Sequence, residues 1–151
     1  MCGIAGILKP GHADTVRAMT ALITHRGPDH EGYYTDEHIS LGQRRLGVFE
    51  LAIGGQPLVN EAGNLQMVCD GVIYNSQGLR RELESRGHQF RSTSGTEVIL
   101  HLYEEEGVHC VRRLRGAFAF AIWNRDDRSL FLVRDQMGQK PLFYVDEPAG
   151  F

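Results

Sequence analysis

Cys2 carries the most chemical promise in this sequence. A small residue after the initiator Met1 permits methionine removal, and the mature chain would then begin with cysteine. One residue would supply both a thiol nucleophile and a free α-amino group. The intrinsic pKa of that amine, about 7.7–8.0, leaves a neutral fraction able to act as base near pH 7. No histidine partner is required. Position alone also fits a small residue that opens a buried strand, since free cysteine is among the most buried residue types. Cys69 and Cys110 lie in strand-like and helix-adjacent segments and read as buried filler. The seven histidines and three cysteines form no C-x-x-C or H-x-x-x-H pair, so no metal site is expected.

A nucleophile at the chain start has to be held by the segments that follow. Cys2–Leu8 reads as a short buried strand ended by Pro10-Gly11. Val16, Met19, Leu22 and Ile23 recur at helical spacing between Asp14 and Thr24, before a polar loop, His25–Gly32. Strands are expected at Gly32–Thr35, Ile39–Phe49 and Leu65–Asp70. Ser76 is placed to cap a second helix, whose Leu79 and Leu83 share a face and which Gly87 ends. Ser94-x-x-Glu97 reads as a capping box for a third helix that stops at Gly107. Along Gly116–Trp123, Phe118, Phe120 and Ile122 alternate with Ala117, Ala119 and Ala121. The turn Asn124–Asp127 then leads to a return strand, Ser129–Arg134. Large and small apolar residues in alternation suit a strand covered on both faces, by a helix and by a second sheet. The pattern predicts a layered α+β domain.

Composition narrows the function classes. The 151 residues are 42% hydrophobic and 23% charged, which excludes disorder, collagen and coiled coil and suits one domain. The longest apolar run, Ala117–Trp123, is far short of the ~20 residues of a membrane span. Polar residues close behind Ile4–Leu8 argue against a signal peptide. A net charge of −3 is unlike the basic face of a nucleic-acid binder. Three thiols suit a reducing, cytoplasmic compartment.

The strings Met1-Cys2-Gly3-Ile4-Ala5-Gly6-Ile7, His25-Arg26-Gly27-Pro28-Asp29 and Gly71-x-Ile73-Tyr74-Asn75 resemble the class II glutamine amidotransferases, most closely the glutaminase half of the asparagine synthetase family. Further matches are Gln43-Arg44-Arg45-Leu46, Gln56-Pro57-Leu58, Thr96-Glu97-Val98-Ile99, Gly116-Ala117-Phe118-Ala119-Phe120-Ala121 and Arg134–Leu142. They occur in family order and cover essentially the whole chain. The resemblance implies a four-layer αββα sandwich of two antiparallel sheets, of the N-terminal-nucleophile hydrolase type. Residues 1–151 would be the N-terminal part of a glutaminase domain, incomplete at its C-terminal end.

By the same resemblance, Cys2 is the nucleophile that forms a glutamyl thioester. Arg45 grips the substrate α-carboxylate, as a planar guanidinium fork suits. Backbone groups near Leu46 and Val48 line the same pocket. Arg26–Asp29 and Arg134–Leu142 read as scaffold without chemistry. Gly71 supplies a backbone N–H to the oxyanion hole, but the family's asparagine beside it is Asp70 here. A carboxylate only accepts hydrogen bonds and repels an oxyanion. Losing such a donor costs on the order of 10²–10³ in turnover. The two family carboxylates that hold the α-ammonium of glutamine are Val72 and Gly95 here, with Asp70 and Glu97 the nearest acids in sequence.

The function implied is hydrolysis of the glutamine side-chain amide, with ammonia passed to an ATP-dependent amidation of the asparagine-synthetase kind. Asp70, Val72 and Gly95 favour a competing reading, a non-catalytic glutaminase-like scaffold module. A third is hydrolysis of another amide that lacks an α-ammonium group. No Ser-Gly-Gly-x-Asp-Ser loop occurs, so no cofactor is expected on this chain; ATP and Mg belong to the synthetase domain. The partners implied are L-glutamine, a C-terminal or separate synthetase domain and, as an open option, a second copy in a homodimer, with neither nucleic acid nor membrane.

Overall fold

The alternating segment is a central strand, with its large residues turned one way and its small ones the other. In the computed structural model, which describes residues 2–47 and 55–146, this strand is the sixth of seven. The elements are β1 (Gly3–Ile7), α1 (Ala13–Leu22), β2 (His30–Thr35), β3 (Ser40–Arg45), β4 (Leu58–Val59), β5 (Leu65–Ile73), α2 (Ser76–Ser85), α3 (Val98–Glu106), β6 (Gly116–Asn124) and β7 (Ser129–Arg134). One sheet has the order β1-β3-β2 and the other β4-β5-β6-β7, and every pairing in both is antiparallel.

The predicted division of faces is what is found. Phe118, Phe120 and Ile122 join Met67, Cys69 and Ile73 of β5 in a core covered by Leu79 and Leu83 of α2 and Ile99 and Leu102 of α3. Val68, Ala121 and Trp123 face the other sheet, where they meet Ile39 and Leu41. Helix α1 covers the outer face of β1 and β3. The layers are therefore α1, the three-stranded sheet, the four-stranded sheet, and α2 with α3, the expected αββα sandwich.

Several local expectations shift. Strand β5 runs three residues past Asp70, because β6 pairs with it as far as Ile73. The short β4 had no signal in the pattern. Asn75, not Ser76, precedes α2, and its side chain bonds the 113–115 segment, donating to Arg113 O (2.9 Å) and accepting from Arg115 N (3.0 Å). The Ser94–Glu97 box does not close as written. Glu97 instead accepts the N–H groups of Arg91 (2.7 Å) and Ser92 (2.9 Å). No helix is long and apolar enough to cross a membrane among the described residues.

Phe120 is fully buried at the centre of the helix-facing core. Phe120→Ala is expected to cost about 3–5 kcal/mol, read as a lower urea midpoint at unchanged slope.

Candidate active site

Antiparallel pairing of β1 with β3 sets Gly3 opposite Arg44, so the chain start lies beside the end of β3. Arg45 and Leu46 follow there. From the facing sheet, the end of β5 brings Asp70, Gly71 and Val72, and the loop before α3 adds Ser94, Gly95 and Thr96. With Cys2 and Lys140 these residues line one cavity of about 470 Å³, a size suited to a small ligand. The structure thus gathers Cys2, Arg45, Leu46, Asp70 and Gly71 around one cavity. Val48 lies outside the described residues. A larger apolar groove of about 540 Å³, lined by Ile4, Leu41, Val68 and Leu132, contains neither Cys2 nor Arg45.

Gly71 is fixed by close approach: a Cβ there would stand 2.4 Å from Ala117 O. Asp70 is 5% exposed and is held by three donors. Cys2 N–H donates to its Oδ1 (3.1 Å), Lys140 Nζ to the same oxygen (3.0 Å), and Arg26 Nη2 to Oδ2 (3.0 Å). Arg26 Nε also donates to Cys2 O (2.9 Å). The carboxylate is therefore matched by two cations and by the nitrogen of Cys2, and no such matching was evident in the sequence. Cys69, next to it, is buried, and burial pushes its thiol well up, as an inert cysteine requires.

Val72 and Gly95 do line this cavity, so all three departures fall in one place. In place of the family's acids stands a hydroxyl rim, in which Ser94 and Thr96 are hydrogen-bonded side chain to side chain at 2.8 Å. Glu97 does not substitute for them. Burial would raise its carboxyl, but hydrogen bonds from His101, the Ser92 hydroxyl (2.5 Å) and two backbone amides draw it down to about 2. It shapes the loop behind the rim.

Arg26 and Lys140 were read as scaffold; Lys140 lines the cavity, and Arg26 bonds two of the residues on its wall, Cys2 and Asp70. The signal that could have found them is Asp70 itself, a carboxylate inside an apolar strand, which demands cations nearby. Lys140 is delivered by a turn built on Asp135. Its carboxylate accepts N–H bonds from Phe118 (3.2 Å), Met137 (3.1 Å), Gln139 (2.9 Å) and Lys140 (2.9 Å). Burial opposes ionisation of Asp135, and these amides overcome it and lower its pKa.

The whole chain, residues 1–151, matches the glutamine amidotransferase domain family. Asparagine synthetase [glutamine-hydrolyzing] 1 of Bacillus subtilis is 40% identical over 96% of this chain and 24% of the relative. Its counterpart numbered 3 in the same organism is 39% identical over 100% of this chain and 26% of the relative. The chain thus spans about a quarter of the length of these relatives. Among solved structures, glutamine phosphoribosylpyrophosphate amidotransferase from B. subtilis superposes with a TM-score of 0.75 at 20% identity, over 91% of this chain and 38% of that one. The fold is shared at that distance.

Two outcomes are expected. Because the folded pKa of Asp135 is lowered, its contribution is fully present above the ordinary carboxylate range. It is lost as pH falls through the lower folded value. Melting temperature should therefore drop below about pH 4, and Asp135→Asn should flatten that drop while lowering stability at pH 7 by about 2–3 kcal/mol. Asp70→Asn strands Arg26 and Lys140 without their carboxylate and should cost about 2 kcal/mol in denaturant unfolding.

Proposed function

The chain belongs to the glutamine amidotransferase domain family, and on that premise we propose that it hydrolyses the side-chain amide of glutamine through Cys2. After removal of Met1, the α-amine of Cys2 takes the thiol proton and Sγ attacks the amide carbon. The tetrahedral oxyanion collapses to a thioester as ammonia leaves with a proton returned by the amine. Water then releases glutamate. The ammonia serves an amidation by a synthetase domain of the kind found in the relatives, fused or separate, in the cytoplasm. ATP and Mg belong to that domain.

The observation that carries this reading is the placement of Cys2 with Arg45 and the Gly71 backbone around one small-ligand cavity. Arg45 supplies a cation for the α-carboxylate, and Gly71 supplies an N–H for the oxyanion. Asp70 works against turnover in two ways. It donates nothing to the oxyanion, and a carboxylate beside the Cys2 nitrogen favours the charged amine, which has no lone pair to take a proton. That observation, with Val72 and Gly95 in place of the ammonium-binding acids, favours a second reading: a glutaminase-like scaffold that docks a synthetase without catalysis.

Intact mass separates the two. Protein prepared with Cys2 at its N-terminus is treated with 6-diazo-5-oxo-norleucine, a glutamine-analogue electrophile. One added mass, absent in Cys2→Ala, supports the glutaminase reading, whereas an unmodified chain supports the scaffold. Asp70→Asn is further expected to raise ammonia release from glutamine about tenfold or more, in spite of its lower stability.

A further inference from the structure

A second polar cluster stands away from Cys2, at the junction of α2 and α3. Helix α2 ends in a Schellman motif. Gly87, at φ +101°, donates to Glu84 O (3.0 Å), and His88 donates to Leu83 O (3.1 Å). The motif sets His88 against α3, where His101 and Glu104, three residues apart, share a face. The imidazoles meet nitrogen to nitrogen, His88 Nδ1 being 3.1 Å from His101 Nδ1. Glu104 Oε2 is 3.3 Å from His101 Nδ1 and 3.7 Å from His88 Nδ1. A carboxylate oxygen of the exposed Glu61 is within 4.8 Å of a ring nitrogen of both histidines.

The far nitrogens also face carboxylates. His88 Nε2 is 3.2 Å from Glu105 Oε1, and His101 Nε2 is 3.7 Å from Glu97 Oε1. A carboxylate only accepts, so His88 Nε2 carries that ring's hydrogen and the neutral ring turns its Nδ1 lone pair inward; His101 has a carboxylate at each nitrogen, the nearer being Glu104 at Nδ1, and its Nδ1 offers a lone pair once a cation takes the place of the proton there. Two lone pairs and a carboxylate oxygen then converge on one point. A single proton bridges two acceptors, while a divalent cation bridges all three. The spacing fits the cation. A tetrahedral ion with bonds of about 2.0–2.1 Å separates its ligand atoms by about 3.3–3.4 Å, against 3.1, 3.3 and 3.7 Å here. The carboxylates on the two Nε2 groups are the outer partners that orient metal-bound histidines. Mixed imidazole and carboxylate donors suit zinc and its neighbours in the first transition row better than magnesium or calcium.

We propose that His88, His101 and Glu104, with Glu61 or a water as fourth ligand, bind one zinc-class divalent cation between α2 and α3. No adjacent-pair pattern announces such a site, because its donors come from the loop after β4, the end of α2 and the middle of α3. His101 is buried, while half-buried His88 and exposed Glu61 leave the approach open.

The test uses the intact chain without a histidine tag, stripped with chelator and titrated with Zn²⁺ by calorimetry. One equivalent is expected, with Kd at or below about 1 µM and a rise in melting temperature with free zinc. His88→Gln and Glu104→Gln, which leave the buried His101 itself unchanged, should each weaken binding about tenfold or more. Co²⁺ in place of Zn²⁺ should give a tetrahedral absorption band that these variants lose. The proposal is overturned by the absence of saturable zinc binding, which leaves a shared proton between the rings. It is equally overturned by undiminished binding in both variants, or by a thiolate-to-cobalt band, which would put the metal on a cysteine.

Discussion

A carboxylate set inside β5 constrains this molecule more than any other side chain. Asp70 sits among Val68, Cys69 and Ile73, and an unpaired charge there would cost several kcal/mol. Its partners come from three distant parts of the chain: the backbone of Cys2, the turn after α1 with Arg26, and the segment after β7 with Lys140. Satisfying Asp70 therefore draws the chain start, one sheet and the end of the other to a single point. At the opposite end of the sandwich a second carboxylate performs a similar stitch. Asp36, beyond β2, accepts Trp123 Nε1 of β6 and Tyr34 Oη, each at 2.7 Å. Between these two polar ties the sheets meet through apolar side chains and one buried hydrogen bond, from Gln43 Nε2 of β3 to Cys69 O of β5 (3.0 Å).

The same constraint sets the chemistry at the cavity. The family pattern holds two carboxylates where the substrate ammonium belongs and a neutral amide at the oxyanion. Among the described residues one carboxylate, Asp70, lies on the wall, with its charge already matched by Arg26 and Lys140; in the proposed reaction it stands where an oxyanion donor is needed. The cavity holds a guanidinium, Arg45, and the Cys2 thiol, the two groups the proposed reaction requires, with the hydroxyls of Ser94 and Thr96 also on its lining. Whether this wall supports turnover or only docking is a matter of where the Cys2 proton rests. That is a local electrostatic question and not one of fold.

The layers were legible because two short patterns determine them. The Phe/Ala alternation of β6 demands covers of different depth on its two faces, and the spacing of Leu79 and Leu83 identifies what covers one of them. Cys2, Arg45 and Gly71 were picked out by the family motifs, and the fold brings all three to one cavity. Arg26 and Lys140 escaped notice because a cation in a polar loop looks the same in sequence whether it faces water or a buried acid. The capping box at Ser94 misled for a related reason. Glu97 has better partners in the Arg91 and Ser92 amides, three and two residues before Ser94, than the one its spacing to Ser94 suggests.

Glu97 joins the two polar regions of the molecule. One of its oxygens accepts the Arg91 amide and lies 3.7 Å from His101 Nε2, while the other accepts the Ser92 amide and hydroxyl. The Ser92 hydroxyl in turn accepts the N–H of Ser94 (3.1 Å), whose side chain stands on the cavity rim. A buried carboxylate with its acceptor sites filled in this way cannot swing without breaking several charge-assisted bonds, each worth about 1.5–3 kcal/mol. The histidine pair and the cavity rim are therefore tied to the same side chain.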